Sequence, residues 1–139
     1  MYQKLINNID MEDKKERLIP YSVIAVLYFL SFFLMGQMGV PETILKVILG
    51  AGLLLITIIL ITFKWKISTH MAGIGGLAAT LTAFSLILKA NFLFFLIITL
   101  FVAGILGTAR ITLKLHSPLQ IYAGFSLGAL MIALTFVIF

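Results

Sequence analysis

Residues 44–63 read ILKVILGAGLLLITIILITF, twenty positions with a single charge, Lys46. A helix rising 1.5 Å per residue needs about 20 apolar residues to cross a hydrocarbon core about 30 Å thick. This stretch therefore has the length and chemistry of a membrane span, and Pro41-Glu42 just before it is a favourable first-turn pair. Outward from it, four further stretches qualify or nearly so: 18–38, 67–88, 92–108 and 119–139. The third of the five is rich in small residues (Ala72, Gly73, Gly75, Gly76, Ala78, Ala79), as suits a helix buried among others. The fourth is short, with Asn91 as a cap, and the fifth opens with Ser117-Pro118 and carries Gly124-x-x-x-Gly128. The expected fold is an all-α polytopic membrane helix bundle of about five spans.

Composition agrees. Of 139 residues, 62% are hydrophobic and 11% charged, against about 45–50% and a quarter in soluble domains. Polar surface is too scarce to coat a soluble globule, and apolar content is too high for disorder. With no cysteine, disulfides, thiolate catalysis and Cys-based zinc sites are excluded. The net charge of +5 is not a nucleic-acid signature, because the basic residues stand singly at the ends of apolar runs.

Residues 1–17 form a separate segment. Tyr2, Leu5, Ile6 and Ile9 share one helical face, and a charge cluster from Asp10 to Arg17 follows. This predicts an interfacial amphipathic helix lying on the bilayer, retained because it lacks the features of a secretory signal. The transmembrane domain is then 18–139. Lys4, Lys14, Lys15, Arg17, Lys64, Lys66, Arg110 and Lys114 fall on one side, and Lys46 and Lys89 on the other. The positive-inside rule puts the N-terminus in the cytoplasm. The compact chain points to a bacterial inner membrane.

Both histidines, His70 and His116, lie where an apolar run meets that same basic face, along with both arginines and six of the eight lysines. Lysines marking a cytoplasmic boundary are ordinary; two histidines and Arg110 beside them point to a polar site. Several cations and two helix N-termini, at Ser68-Thr69-His70 and at His116-Ser117-Pro118, suit an anion such as phosphate. One imidazole has the chemistry to attack phosphorus and the other to protonate the leaving oxygen. No carboxylate cluster is placed to hold a metal, and no cofactor is expected. For each residue a plainer reading stands beside this one. Ser68 is a natural N-cap, His70 a polar first-turn residue, and Ser117-Pro118-Leu119-Gln120 a capping box. Gln120 capping its helix and Gln120 orienting His116 four residues back are compatible roles.

The stretch Ala109-Arg110-Ile-Thr-Leu-Lys-Leu-His116-Ser-Pro-Leu-Gln120-Ile-Tyr-Ala123-Gly124 resembles the third motif of the type 2 phosphatidic acid phosphatase superfamily. That family includes lipid phosphatases and vanadium haloperoxidases. Its motif has Ser-Arg, five residues, His, three residues, then Asp-Val-x-Ala-Gly. Ser68-Thr69-His70 resembles its second motif, Pro-Ser-Gly-His. The resemblance covers roughly residues 64–130 and implies His116 as nucleophile, His70 as general acid, and Arg110 and Ser68 as phosphate ligands. Lys66 is a further basic candidate. The first motif, Lys, six residues, Arg-Pro, has only a loose counterpart in Lys14-Lys15-Glu16-Arg17-Leu-Ile-Pro20, which lends Lys15 and Arg17 to phosphate binding. Gln120 replaces the family's Asp, so it can accept the imidazole's hydrogen bond but supplies no charge.

The implied activity is hydrolysis of a lipid or isoprenoid phosphate or diphosphate through a phosphohistidine. A catalytically silent relative that binds lipid phosphate or serves as a membrane partner subunit is the alternative. The expected partners are membrane lipids, with a homo-oligomer also open. A transporter is disfavoured, since the spans show no internal repeat and no charge deep in the bilayer.

Overall fold

The computed structural model describes residues 14–139, with side chains from Leu18 onward. Most of the amphipathic segment expected over 1–17 lies outside the described residues. Its last four residues, 14–17, belong to the first helix, so no break separates them from the first span.

Among the described residues there are five helices and no strands: α1 (Lys14–Gln37), α2 (Glu42–Thr62), α3 (Thr69–Ile87), α4 (Leu93–Thr112) and α5 (Pro118–Ile138). All five are long and apolar enough to cross a bilayer, consistent with an integral membrane protein. Their outer faces stay apolar; Phe33, Leu60, Leu86, Phe101 and Val137 are all exposed. Such a surface suits lipid and no aqueous phase. Hydroxyls within the spans bond back to carbonyls of their own helix, as Thr57, Thr62, Thr80, Thr99 and Thr108 do at 2.6–2.9 Å. No buried side-chain polar atom among the described residues lacks a partner.

Helix ends follow local chemistry. Ser68 caps α3 by accepting from the Met71 amide, and Ser117 and Gln120 form the expected capping box at α5. The Asn91 side chain accepts from the Leu93 amide at 3.0 Å, although the cap position itself is Phe92. The fourth helix runs to Thr112, four residues beyond the stretch expected from hydropathy, which places Arg110 in its last turn and not in a loop. Its positive charge there opposes the negative end of the helix dipole. Lys114, in left-handed backbone at φ 55°, then turns the chain out of the helix.

The arrangement is layered around α3 and α5, which run parallel in close contact. Positions 68, 72 and 76 on α3 and its cap meet 124, 128 and 132 on α5. The approach is limited by backbone: a Cβ on Gly128 would collide with the Ala72 carbonyl, one on Gly75 with that of Phe125, and one on Gly124 would lie 2.5 Å from the Ser68 oxygen. Only glycine fits at such distances, and in lipid this contact is what dispersion between helices requires. On one side α2 packs through Gly50 against Ile132 and Thr135, with Leu54, Ile58, Ile67 and Ala72 forming a buried cluster on which Trp65 rests. On the other side α4 packs through Ala103 against Met71 and Ile121. The outermost helix, α1, packs on α2, where Gly52 meets Phe29.

Gly128→Ala is expected to lower thermal stability in detergent by at least the ~1–3 kcal/mol typical of overpacking, because its obstacle is backbone. Gly104→Ala, with nothing within 4 Å of its Cβ, is expected to be neutral or slightly stabilising. Thermal unfolding of the purified variants checks both.

Candidate functional site

The parallel run of α3 and α5 brings their N-termini to one end of the bundle. The Ser68 amide donates to the Gln120 carbonyl at 3.4 Å, tying the loop before α3 to the first turn of α5. The C-terminal turn of α4 arrives at the same end. Arg110 there links both histidines: its guanidinium Nη2 donates to His70 Nε2 at 3.0 Å, and its carbonyl accepts from the His116 amide at 3.3 Å. Thus His70, Arg110, His116 and Gln120, from three helices and one loop, form one connected hydrogen-bonded set.

The state of His116 follows from geometry. The Gln120 side-chain oxygen accepts from the Ser117 amide at 3.1 Å, and a backbone N–H only donates, so the side-chain oxygen must face it. That same oxygen is 3.1 Å from His116 Nδ1. Nδ1 therefore carries the hydrogen and donates, which places the neutral ring's lone pair on Nε2. One oxygen caps the helix and selects the tautomer. His116 as a whole residue is 7% exposed, so packing also limits its movement.

His70 stands differently. It is exposed, and a guanidinium offers only donors, so Nε2 accepts from Arg110 and a neutral ring carries its hydrogen on Nδ1. Ser68 is fully buried at 0% exposure, its hydroxyl accepting from the Met71 amide at 3.5 Å. That is a capping role, with the side chain held inside the protein. Lys66 is half-buried and Lys64 exposed in the loop between α2 and α3.

Lys15 and Arg17 lie in the first turn of α1. Their side chains are outside the described residues. The start of α1 is held at the site end by a contact that hydropathy did not signal: the hydroxyls of Tyr21 and Thr69 are 2.7 Å apart and hydrogen-bonded. Thr69 sits between Ser68 and His70, and that adjacency was the available clue. The Glu42–Lys46 ion pair, at 2.9 Å, lies at the opposite end. Among the described residues no three His, Cys, Asp or Glu side chains cluster as metal ligands.

The set combines a guanidinium, an oriented neutral imidazole, a second imidazole and two helix N-termini. Chemically it can hold an oxyanion and move a proton beside it. No protein-family model, curated protein or solved structure matches the chain.

Gln120→Ala is expected to cost about 1 kcal/mol through the lost cap and to let His116 populate both tautomers. Gln120→Glu has the same length and should keep the Nδ1–H form. Nitrogen-15 NMR of histidine-labelled protein reads the tautomer directly; an Nε2–H form in the wild type would overturn the assignment.

Proposed function

We propose that this chain is a membrane phosphatase acting on a lipid or isoprenoid phosphate, a divergent relative of the type 2 phosphatidic acid phosphatases. The observation that carries this reading is the hydrogen-bonded set in which Arg110 joins His70 to an oriented His116. The proposed site lies where apolar helices end, at the depth of lipid headgroups.

In this mechanism a phosphate enters between the N-termini of α3 and α5, and Arg110 turns its donors from His70 to the phosphate oxygens. His116 Nε2 attacks phosphorus, forming a P–N bond as the bond to the leaving oxygen breaks. His70, relieved of the Arg110 donor at Nε2, takes up a proton there and delivers it to the leaving alkoxide. Water then attacks the phosphohistidine with His70 as base, and inorganic phosphate and the resting His116 are regenerated. Gln120 holds Nδ1–H throughout. Lys66, Lys15 and Arg17 add positive charge, while Ser68 acts through the buried cap of α3.

The neutral Gln120 favours a second reading, a relative that binds lipid phosphate with little turnover. Replacing the orienting Asp of a serine-protease triad by its amide lowers turnover about ten-thousand-fold. The two readings separate on one assay, phosphate release from phosphatidate, phosphatidylglycerol phosphate and isoprenyl diphosphates by protein in detergent. Release is expected from the wild type and none from His116→Ala. His70→Ala is expected to lose about 10²–10⁴-fold on alkyl esters, the range of general-acid catalysis, and far less on a nitrophenyl ester. Gln120→Glu is expected to raise turnover. Failure of folded wild-type protein to release phosphate from any substrate favours the binder.

We further propose a bacterial inner-membrane location with the site on the cytoplasmic face, in keeping with the lysine and arginine asymmetry. Because the chain has no cysteine, single replacements report topology cleanly. In intact cells a membrane-impermeant maleimide is expected to label Lys89→Cys and to spare Lys114→Cys. The reverse pattern inverts the orientation.

A further inference from the structure

Below the Tyr21–Thr69 hydrogen bond, α1 and α3 do not pack against each other. Between them, floored by α2, runs a groove of about 370 Å³ lined by Tyr28 on α1, Ala51 and Leu55 on α2, and Gly73, Leu77 and Thr80 on α3. Its walls extend over positions 69–80 of α3 and 47–58 of α2. At 1.5 Å per residue that is about 16 Å, or half of a hydrocarbon core about 30 Å thick. The groove thus runs inward from the site end at Thr69 to the middle of α3 and past the middle of α2. Gly73 leaves it open: nothing lies within 4 Å of a Cβ built there.

The upper end of the groove leads to His70. Gly73 and Leu77 lie three and seven residues after His70, on the same face of α3 and one and two turns deeper. A second apolar cleft of similar size, about 420 Å³, runs between α4 and α5 beside Gly104, Thr108 and Ile111. It shares Arg110's face of α4 through Ala103 and Gly107, but its one α3 residue is Met71, off the face of α3 that carries His70, Gly73 and Leu77. Of the two clefts, only the first continues the helix face that bears a site histidine.

We propose that this groove holds one acyl chain of an anionic phospholipid from the same leaflet, with its phosphate at the His70–Arg110 end and lateral entry between α1 and α3. The proposal rests on the phosphate-binding half of the function proposed above and not on turnover. In a bilayer the groove offers a chain no hydrophobic gain over surrounding lipid. Occupancy therefore depends on the tethered phosphate, and a lipid lacking it should not compete.

The test uses the full chain in phosphatidylcholine nanodiscs, with His116→Ala protein so that the probe's phosphate survives. The probe is phosphatidic acid bearing a diazirine midway along one chain, and diacylglycerol with the same chain is the control. Adducts are expected on peptides covering 69–80 and 47–58, several-fold above the diacylglycerol control. Gly73→Leu, which fills the groove, is expected to reduce them several-fold. Val47→Phe, which blocks the inner end of the groove, should do the same if the first variant does not fold. Adducts spread evenly over exposed helix faces, concentrated at Gly104–Thr108, insensitive to both folded variants, or equal for diacylglycerol would each overturn the proposal. Absent phosphate release with intact labelling would count against the catalytic reading alone.

Discussion

Backbone-to-backbone contact between α3 and α5 is the constraint on which the rest of the molecule depends. In lipid, apolar side chains gain little by leaving one hydrocarbon for another, so helices associate where their surfaces allow the closest dispersion contact. Gly75, Gly124 and Gly128 remove the side chains that would hold these two helices apart. Parallel contact then forces both N-termini to the same end. Ser68 meets the first turn of α5, the Gln120 carbonyl receives its amide, and His70 and His116, close to the two caps, are brought to one end of the bundle. A Cβ at Gly124, 2.5 Å from the Ser68 oxygen, would press on the Ser68 backbone and separate those termini.

Arg110 takes its importance from that frame. A guanidinium in the last turn of α4 is favoured by the helix dipole whatever else it does. Here its carbonyl receives the His116 amide while its side chain crosses to His70 on α3. One residue thereby couples the position of the turn that follows α4 to the ring of a neighbouring helix. The bond to His70 uses one of the five guanidinium N–H donors of Arg110.

The spans were legible because a bilayer imposes length and apolarity together, and no other environment tolerates 62% hydrophobic residues in 139. The expected five-helix fold is what the structure has. The Gly124-x-x-x-Gly128 spacing likewise announced a close contact, though not its partner. Boundaries read less well: hydropathy drops at Arg110, while the helix continues to Thr112 because hydrogen bonding and the dipole, not hydropathy, decide where it stops. The Tyr21–Thr69 bond and the groove beneath it were invisible in sequence. Both depend on how α1 and α3 are placed relative to each other, a single contact above and a gap below, and periodicity carries no information about either. For Gln120 the two sequence readings, cap or orienting group, are both satisfied by a single oxygen.

That oxygen frames the electrostatics of the site. Among the residues whose side chains are described, those charged at this end, Lys64, Lys66, Arg110 and Lys114, are cationic, and both helix N-termini add positive potential. A carboxylate at position 120 would stabilise the positive charge that develops on His116, but it would also repel an arriving phosphate. Two unit charges about 6 Å apart at an effective dielectric near 20 interact by on the order of 3 kcal/mol before salt screening. The amide avoids that repulsion while keeping the hydrogen bond that selects the tautomer. In the proposed site its chemistry would shift the balance from transition-state stabilisation toward ground-state anion binding, a difference that raises affinity without raising turnover. On the proposed function, a slow phosphatase and a lipid-phosphate binder are neighbours on one continuum, and the charge at position 120 would set where along it the chain stands.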